Sequence, residues 1–243
     1  MRGGFPEPLL ARDDEIAWQW CADFLRSYLD REIPFFAPRL PRQTLSRLWT
    51  MLAHTSGSLL NSSRLASNLS ISSPTVDRYI DLLVDLGLAR RLSAWFPNAT
   101  TRVTKSPKVF LRDTGLLHAL LDIRTPHALL GHPIVGASFE SFCVESLLQA
   151  FSAYEAYFYR TARGDEIDLV LTSAGQPTIG VEIKLSSSAS IPAGFHRACD
   201  SLGITQRFLV HGGSTDREPY QAHETTVTHI AHAIESIGER LVA

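Results

Sequence analysis

Residues 157–186 read YFYRTARGDEIDLVLTSAGQPTIGVEIKLS, and two short apolar runs within them each carry an acid where an apolar residue would be expected. In the first, Ile167, Leu169, Val170 and Leu171 surround Asp168; in the second, Ile179, Val181, Ile183 and Leu185 alternate with Gly180, Glu182 and Lys184. Both read as strands. The intervening TSAGQP is turn chemistry that joins antiparallel neighbours, so the pair folds back on itself. Period two puts Glu182 and Lys184 on one face of the second strand, and the hairpin register can bring Asp168 opposite them. Carboxylates a few ångströms apart repel and shift each other's pKa, which a divalent cation would relieve. Hard oxygen ligands suit Mg²⁺ or Mn²⁺, held by one or two carboxylates and a substrate phosphate.

Asp168, with Glu182-Ile183-Lys184 beginning fourteen positions later, resembles the core of the PD-(D/E)XK nuclease superfamily. That superfamily often adds a glutamate from a preceding helix, and Glu140 in GASFESFCVESLLQAF is placed to supply it. The resemblance implies a metal-dependent phosphodiesterase. Asp168 and Glu182 would hold the metal, assisted by the Ile183 carbonyl and by Glu140 through a water, while Lys184 positions the hydroxide. Arg160 and Arg163, just before the hairpin, would contact the substrate backbone. The plainer alternative is an edge hairpin with a solvated Glu182–Lys184 pair and Asp168 in a turn. The apolar neighbours Ile167 and Leu169 speak against it.

The 243 residues suffice for one large domain or two modest ones, and no apolar run approaches a membrane span. MRGGFPEPLL lacks the apolar centre of a secretory signal, so a soluble cytoplasmic protein is expected. Cys21, Cys143 and Cys199 are too scattered for a disulfide framework or zinc site, and His223, His229 and His232 read as surface or core fillers. The net charge of −2 conceals segregation: residues 39–112 carry +8, whereas 1–38 carry −3 and 113–243 carry −7. A basic middle segment suits a face for nucleic acid or an acidic neighbour.

Three segments follow from the pattern. In residues 1–38, Asp13 or Asp14 caps a helix with Ile16, Trp20, Phe24 and Tyr28 as its apolar line, ending before Pro34. In 39–122, a helix over 44–54 precedes SRLASNL, the turn SISS and a helix from Pro74 to Leu86 capped by Ser73. LARRLSAWF and KVFLRD then read as strands around a basic loop. LASNLSISSPTVDRYIDLLVDLGLARRL is similar to winged-helix sequences. Asp77, Asp81 and Asp85 put an acidic stripe on the would-be recognition helix, so DNA contact is expected from Arg90, Arg91, Arg102, Lys105 and Lys108, as backbone positioning. The alternative is a protein-docking winged helix. In 123–243, a helix over 135–151, the hairpin, a helix over 194–202, a strand over 207–210 and a last helix over 230–241 give an α/β domain with a mixed sheet flanked by helices.

The whole chain resembles the C-terminal portion of prokaryotic ATP-binding proteins that join an AAA-type ATPase module to domain of unknown function 4143. The resemblance is carried by GGFPEP, FLRSYLDREI, GASFESFCVESL, YRTARGDEIDLVL and VEIK. It implies that residues 1–38 are the connection to such a module. The phosphate loop G-x-x-x-x-G-K-[ST] does not occur, so no ATP site is expected here. An excised piece, a truncated gene product and a remnant working with an ATPase partner all fit. Two functions follow: a Mg²⁺-dependent nuclease, or a non-catalytic regulatory or docking module for an ATPase, bound to protein or DNA and not to a membrane. A serine hydrolase at Ser138 fails, because GASFE lacks the closing glycine.

Overall fold

The computed structural model describes residues 1–36, 40–96, 105–188, 190–214 and 218–242. It divides into two compact units, Met1–Arg91 with Val109–Phe142 and Leu92–Lys108 with Cys143–Ala243. The boundaries read from sequence, after residues 38 and 122, do not coincide with this division.

Unit 1 is mainly helical. After a short helix α1 (Pro6–Leu9), α2 (Asp14–Ser27) starts at Asp13, whose carboxylate accepts the Ile16 N–H at 2.9 Å. The buried line of α2 is Ala17, Cys21 and Leu25, one position round from the expected stripe. Ile16 is exposed, and Trp20, Phe24 and Tyr28 stack in sequence along the flank with ring centroids 5.1–5.3 Å apart. The large rings cover the helix side while small residues let it approach its neighbours closely. The helix does not end before Pro34. A π-turn over Tyr28–Glu32, in which the Ile33 N–H reaches the Tyr28 carbonyl, leads into α3 (Ile33–Phe36). The wider turn brings the chain past a residue that has no N–H to donate.

Next come α4 (Arg42–His54), β1 (Ser58–Leu59), α5 (Ser62–Leu69) and α6 (Ser73–Asp85). The cap of α6 is Ser72 rather than Ser73, with Ser72 Oγ accepting the Thr75 N–H, so Pro74 sits at the second helical position. Strands β2 (Ala89–Leu92) and β3 (Lys108–Leu111) follow, and the small sheet has the order β1-β3-β2. Leu45, Leu48, Trp49, Leu65, Val76, Ile80 and Leu83 form the core beneath this helix-turn-helix and sheet. Helix α7 (Thr114–Leu120) is capped by Asp113 and is followed by α8 (Pro126–Leu130) and α9 (Val135–Ala150). The division between the units falls within α9.

Unit 2 is a six-stranded mixed sheet. Its strands are β4 (Glu155–Arg160), β5 (Glu166–Ser173), β6 (Gln176–Lys184), β7 (Gln206–His211), β8 (Tyr220–Ala222) and β9 (Thr225–His229), in the order β4-β5-β6-β7-β9-β8. β4, β5 and β6 are antiparallel neighbours, whereas β6, β7 and β9 run parallel. Helix α10 (Ala193–Leu202) connects β6 to β7, and α11 (Ile230–Val242) closes the chain. The β5–β6 turn has Ala174 and Gly175 both at positive φ between paired Ser173 and Gln176, the two-residue geometry that matches strand twist. Phe195, Ala198 and Cys199 of α10 pack on Tyr159, Ile167 and Val170. Gly180 permits that approach, because a Cβ there would stand 3.0 Å from Cys199 Sγ. Strands β8 and β9 lay outside the sequence reading.

Candidate functional site

The acidic strand pair is built around a bulge. Tyr157 pairs with Val170 and Tyr159 with Ile167, so two steps along β4 oppose three along β5. Ile167 and Val170 therefore both reach the core under α10, with Asp168 between them. Leu169 pairs with Val181, and two residues beyond Val181 the Ile183 N–H donates to Asp168 Oδ2 at 2.9 Å. A side-chain carboxylate thus serves as acceptor for a backbone donor of the neighbouring strand.

Glu182 is buried, and Lys184 Nζ stands 2.7 Å from its Oε1. Burial, and next the charge of Asp168, push the Glu182 carboxyl up to about 8, against the pull of Lys184. The two carboxylates repel, which a proton or a cation relieves. Lys108, expected to contact DNA from in or around the wing, is buried at 3% exposure. Its ammonium lies 3.0 Å from Glu166 Oε1, 3.4 Å from Asp168 Oδ1 and 5.6 Å from the centre of the Phe158 ring. Lys108 and Glu166 are site members that sequence reasoning missed. The available signal was a lysine opening the otherwise apolar strand KVFL.

Among the described residues, no group of three or more His, Cys, Asp or Glu is arranged to hold a metal. Mg²⁺ needs only one or two carboxylates, however, and a carboxylate oxygen has a second lone pair beyond the one engaged by Lys108 or Ile183 on Asp168, or by Lys184 on Glu182. Asp168 and Glu182 are the carboxylates that would hold such an ion.

The other expected residues are distributed as follows. Arg160 is half-buried, 3.5 Å from Glu166, and Arg163 is exposed. Glu140 belongs to the unit 1 half of α9, where a Cβ on Gly57 would come within 3.4 Å of its Oε2. Arg91 is committed to α6: it lies 2.7 Å from Asp81 and 3.6 Å from Asp77, and donates to the Asp77 carbonyl. Two of the three stripe acids are thereby neutralised within the unit. Arg90 is half-buried and Lys105 exposed, and Arg102 lies outside the described residues.

Ser138, set aside as a nucleophile, does meet a base. His118 Nδ1 donates to the Met1 carbonyl at 2.9 Å, which leaves Nε2 to accept from Ser138 Oγ at 2.8 Å. Both residues are buried, and the cavity beside His118 is only about 10 Å³. No substrate could enter, and the pair is a packing device. Burial pushes His118 down to about 4, and pushes the Cys21 and Cys199 thiols up to about 12.

Together these features define a protein of two units, one a helix-turn-helix with a small sheet and the other a mixed sheet bearing a buried acid–lysine site. The chain belongs to the family of domain of unknown function DUF8612, whose model matches residues 1–127, and residues 135–231 match domain of unknown function DUF4143. The uncharacterized proteins Rv2008c of Mycobacterium tuberculosis and Mb2031c of Mycobacterium bovis are similar, each 37% identical over 213 residues. The matches cover 88% of this chain and 48% of the relatives, so the chain spans about half their length. The crystal structure of transcriptional regulator PA3341 is matched over 56% of this chain and 93% of that one, at 19% identity and a TM-score of 0.25, a likeness too loose to carry an argument. Among the described residues, no helix is long and apolar enough to cross a membrane.

Proposed function

We propose that unit 2 carries a metal-dependent phosphodiesterase site of the PD-(D/E)XK kind, acting on nucleic acid. The observation that carries this reading is the buried Glu182, ion-paired to Lys184 at 2.7 Å and held above its ordinary pKa by burial and by Asp168. A perturbed acid beside a lysine, with a second acid on the neighbouring strand, marks a candidate functional site, and this set of groups suits hydrolysis of a phosphate ester. Asp168 and Glu182 would bind Mg²⁺ or Mn²⁺, with the Ile183 carbonyl as a further oxygen donor. A bound metal supplies Lewis acidity and lowers the pKa of a coordinated water. Lys184, whose ammonium already stands 2.7 Å from Glu182, would donate to such a water and orient it. The Ile183 N–H holds the Asp168 carboxylate in place through each turnover.

The test is Mn²⁺ calorimetry followed by incubation with mixed nucleic acids, on the wild type and on Asp168→Ala with Glu182→Ala. Binding and cleavage that vanish together in the double variant support the site. A wild type that binds no Mn²⁺, even with nucleic acid present, refutes it.

A second reading has its own observation. The Lys108 ammonium already neutralises Asp168 and Glu166 from within, which suits an idle cluster in a docking module for an ATPase. On that reading Glu182→Gln and Lys184→Ala leave partner binding intact.

A further inference from the structure

The parallel half of the sheet holds a row of side chains that the acid site does not use. Register pairs Lys184 of β6 with His211 of β7, and His211 with His229 of β9. Residues paired across parallel strands share a face, so these three stand side by side at the carboxyl ends of three consecutive strands, about 5 Å apart from strand to strand. In doubly wound sheets this edge is where ligands bind. The His211 and His229 rings are 5.6 Å apart, and His232 at the start of α11 extends the line with its ring 6.5 Å from His229. His211 is recessed, whereas His229 and His232 are half-buried.

Hydrogen bonds fix what this row can recognise. The Gly213 N–H donates to His211 Nδ1 at 3.3 Å, and the Ala231 N–H donates to His229 Nδ1 at 3.1 Å. A neutral imidazole has one lone pair, and in both rings it is spent on a backbone donor. Each Nε2 therefore carries the proton. Neither can ligate a metal without giving up its backbone bond, and the two rings present N–H donors beside an ammonium. Three donors in a line ask for an anion with several acceptor oxygens. Their neighbour on the same face, two residues before Lys184, is Glu182 of the acid site.

We propose that Lys184, His211 and His229 form a phosphate subsite that holds the phosphodiester next along the strand from the one lying over Glu182. The substrate's path thus runs across the carboxyl ends of β6, β7 and β9. This rests on the phosphodiesterase reading for the identity of the ligand, but the row would hold a phosphate whether or not cleavage occurs.

The experiment uses the full chain with ¹⁵N-labelled histidine, in EDTA, titrated with a short DNA oligonucleotide. Parallel titrations use the same oligonucleotide with uncharged methylphosphonate linkages, and inorganic phosphate. The expected result is protonated Nε2 in His211 and His229, and imidazole shifts with the phosphodiester strand only. His211→Asn and His229→Asn keep an acceptor at the Nδ1 position and lose the Nε2 donor. Each is expected to weaken oligonucleotide binding about tenfold. His211→Gln and His229→Gln place a donor near Nε2 and are expected to restore most of the affinity. Protonated Nδ1, equal shifts with the methylphosphonate strand, or Asn variants that bind as tightly as wild type would overturn the subsite. Shifts at equal concentrations of inorganic phosphate as large as with the strand would overturn nucleic acid as its ligand. Row-dependent binding without metal-dependent cleavage would leave the subsite and remove the catalytic reading, whereas cleavage with an unchanged KM in the Asn variants would do the reverse.

Discussion

Replacing Lys108 by Met removes the charge from unit 2 while keeping most of the side chain's contact with Phe158. Breaking one partner out of a buried ion pair costs about 3–5 kcal/mol, because the remaining charge is left desolvated. Here the stranded groups are Glu166 and Asp168, whose side chains keep 26% and 13% of their exposure. Arg160 remains 3.5 Å from Glu166, and Ile183 N–H still donates to Asp168. Solvent and those partners recover part of the loss, so about 2 kcal/mol is expected. Because the chain has two units, a single global transition is a poor gauge, and hydrogen exchange at the Ile183 amide reports unit 2 directly. About 2 kcal/mol corresponds to roughly thirtyfold faster exchange where reclosing is fast and exchange follows the opening equilibrium. Adding Glu166→Gln to Lys108→Met removes one stranded carboxylate and should recover about 1 kcal/mol as a coupling term. Exchange changed less than about twofold by Lys108→Met, or additive effects in the pair, would refute the claim that this lysine neutralises the cluster.

Two further outcomes follow from unit 1. The His118 imidazole is held near 4 in the folded state, below its ordinary 6.5, so the unfolded chain binds the extra proton between those values. Stability should therefore fall by about 3 kcal/mol as pH drops from 6.5 to 4, and His118→Gln should flatten that slope in urea unfolding followed across the window. Arg91→Ala should cost about 1 kcal/mol in thermal unfolding through lost contacts to α6, since the guanidinium is three-quarters buried, yet leave duplex DNA affinity unchanged. A tenfold loss of affinity would mean that its charge faces the nucleic acid after all.

What sequence could reveal depended on whether the signal was local. The β5–β6 hairpin and α6 were legible because their apolar periods and turn residues act within a few positions of one another. The face of α2 was misjudged by one position, since large aromatics outweigh alanine and cysteine in any reading of pattern although the small residues make the closer approach. Strand β9, TTVTH, is threonine-rich and runs straight into a helix, so it lacks the punctuation that marks a strand. The bulge at Asp168 exists only as a mismatch between two strands. The burial of Lys108 depends on a partner sixty residues further along the chain. His229 and His232 read as fillers, because the line they form with Lys184 and His211 exists only through strand register.

Unit 2 begins with residues 92–108, well before its main body. Within it, Trp95 N–H donates to the Phe158 carbonyl and Phe158 N–H to that of Ser93, so residues 93–95 lie along β4. During synthesis the segment leaves the ribosome first and must wait for the strand it covers. A fragment starting at residue 123 would be born with an open β4 edge and with Glu166 and Asp168 lacking their lysine. Aggregation of such a fragment would then reflect where the gene was cut rather than any fault in the sheet itself.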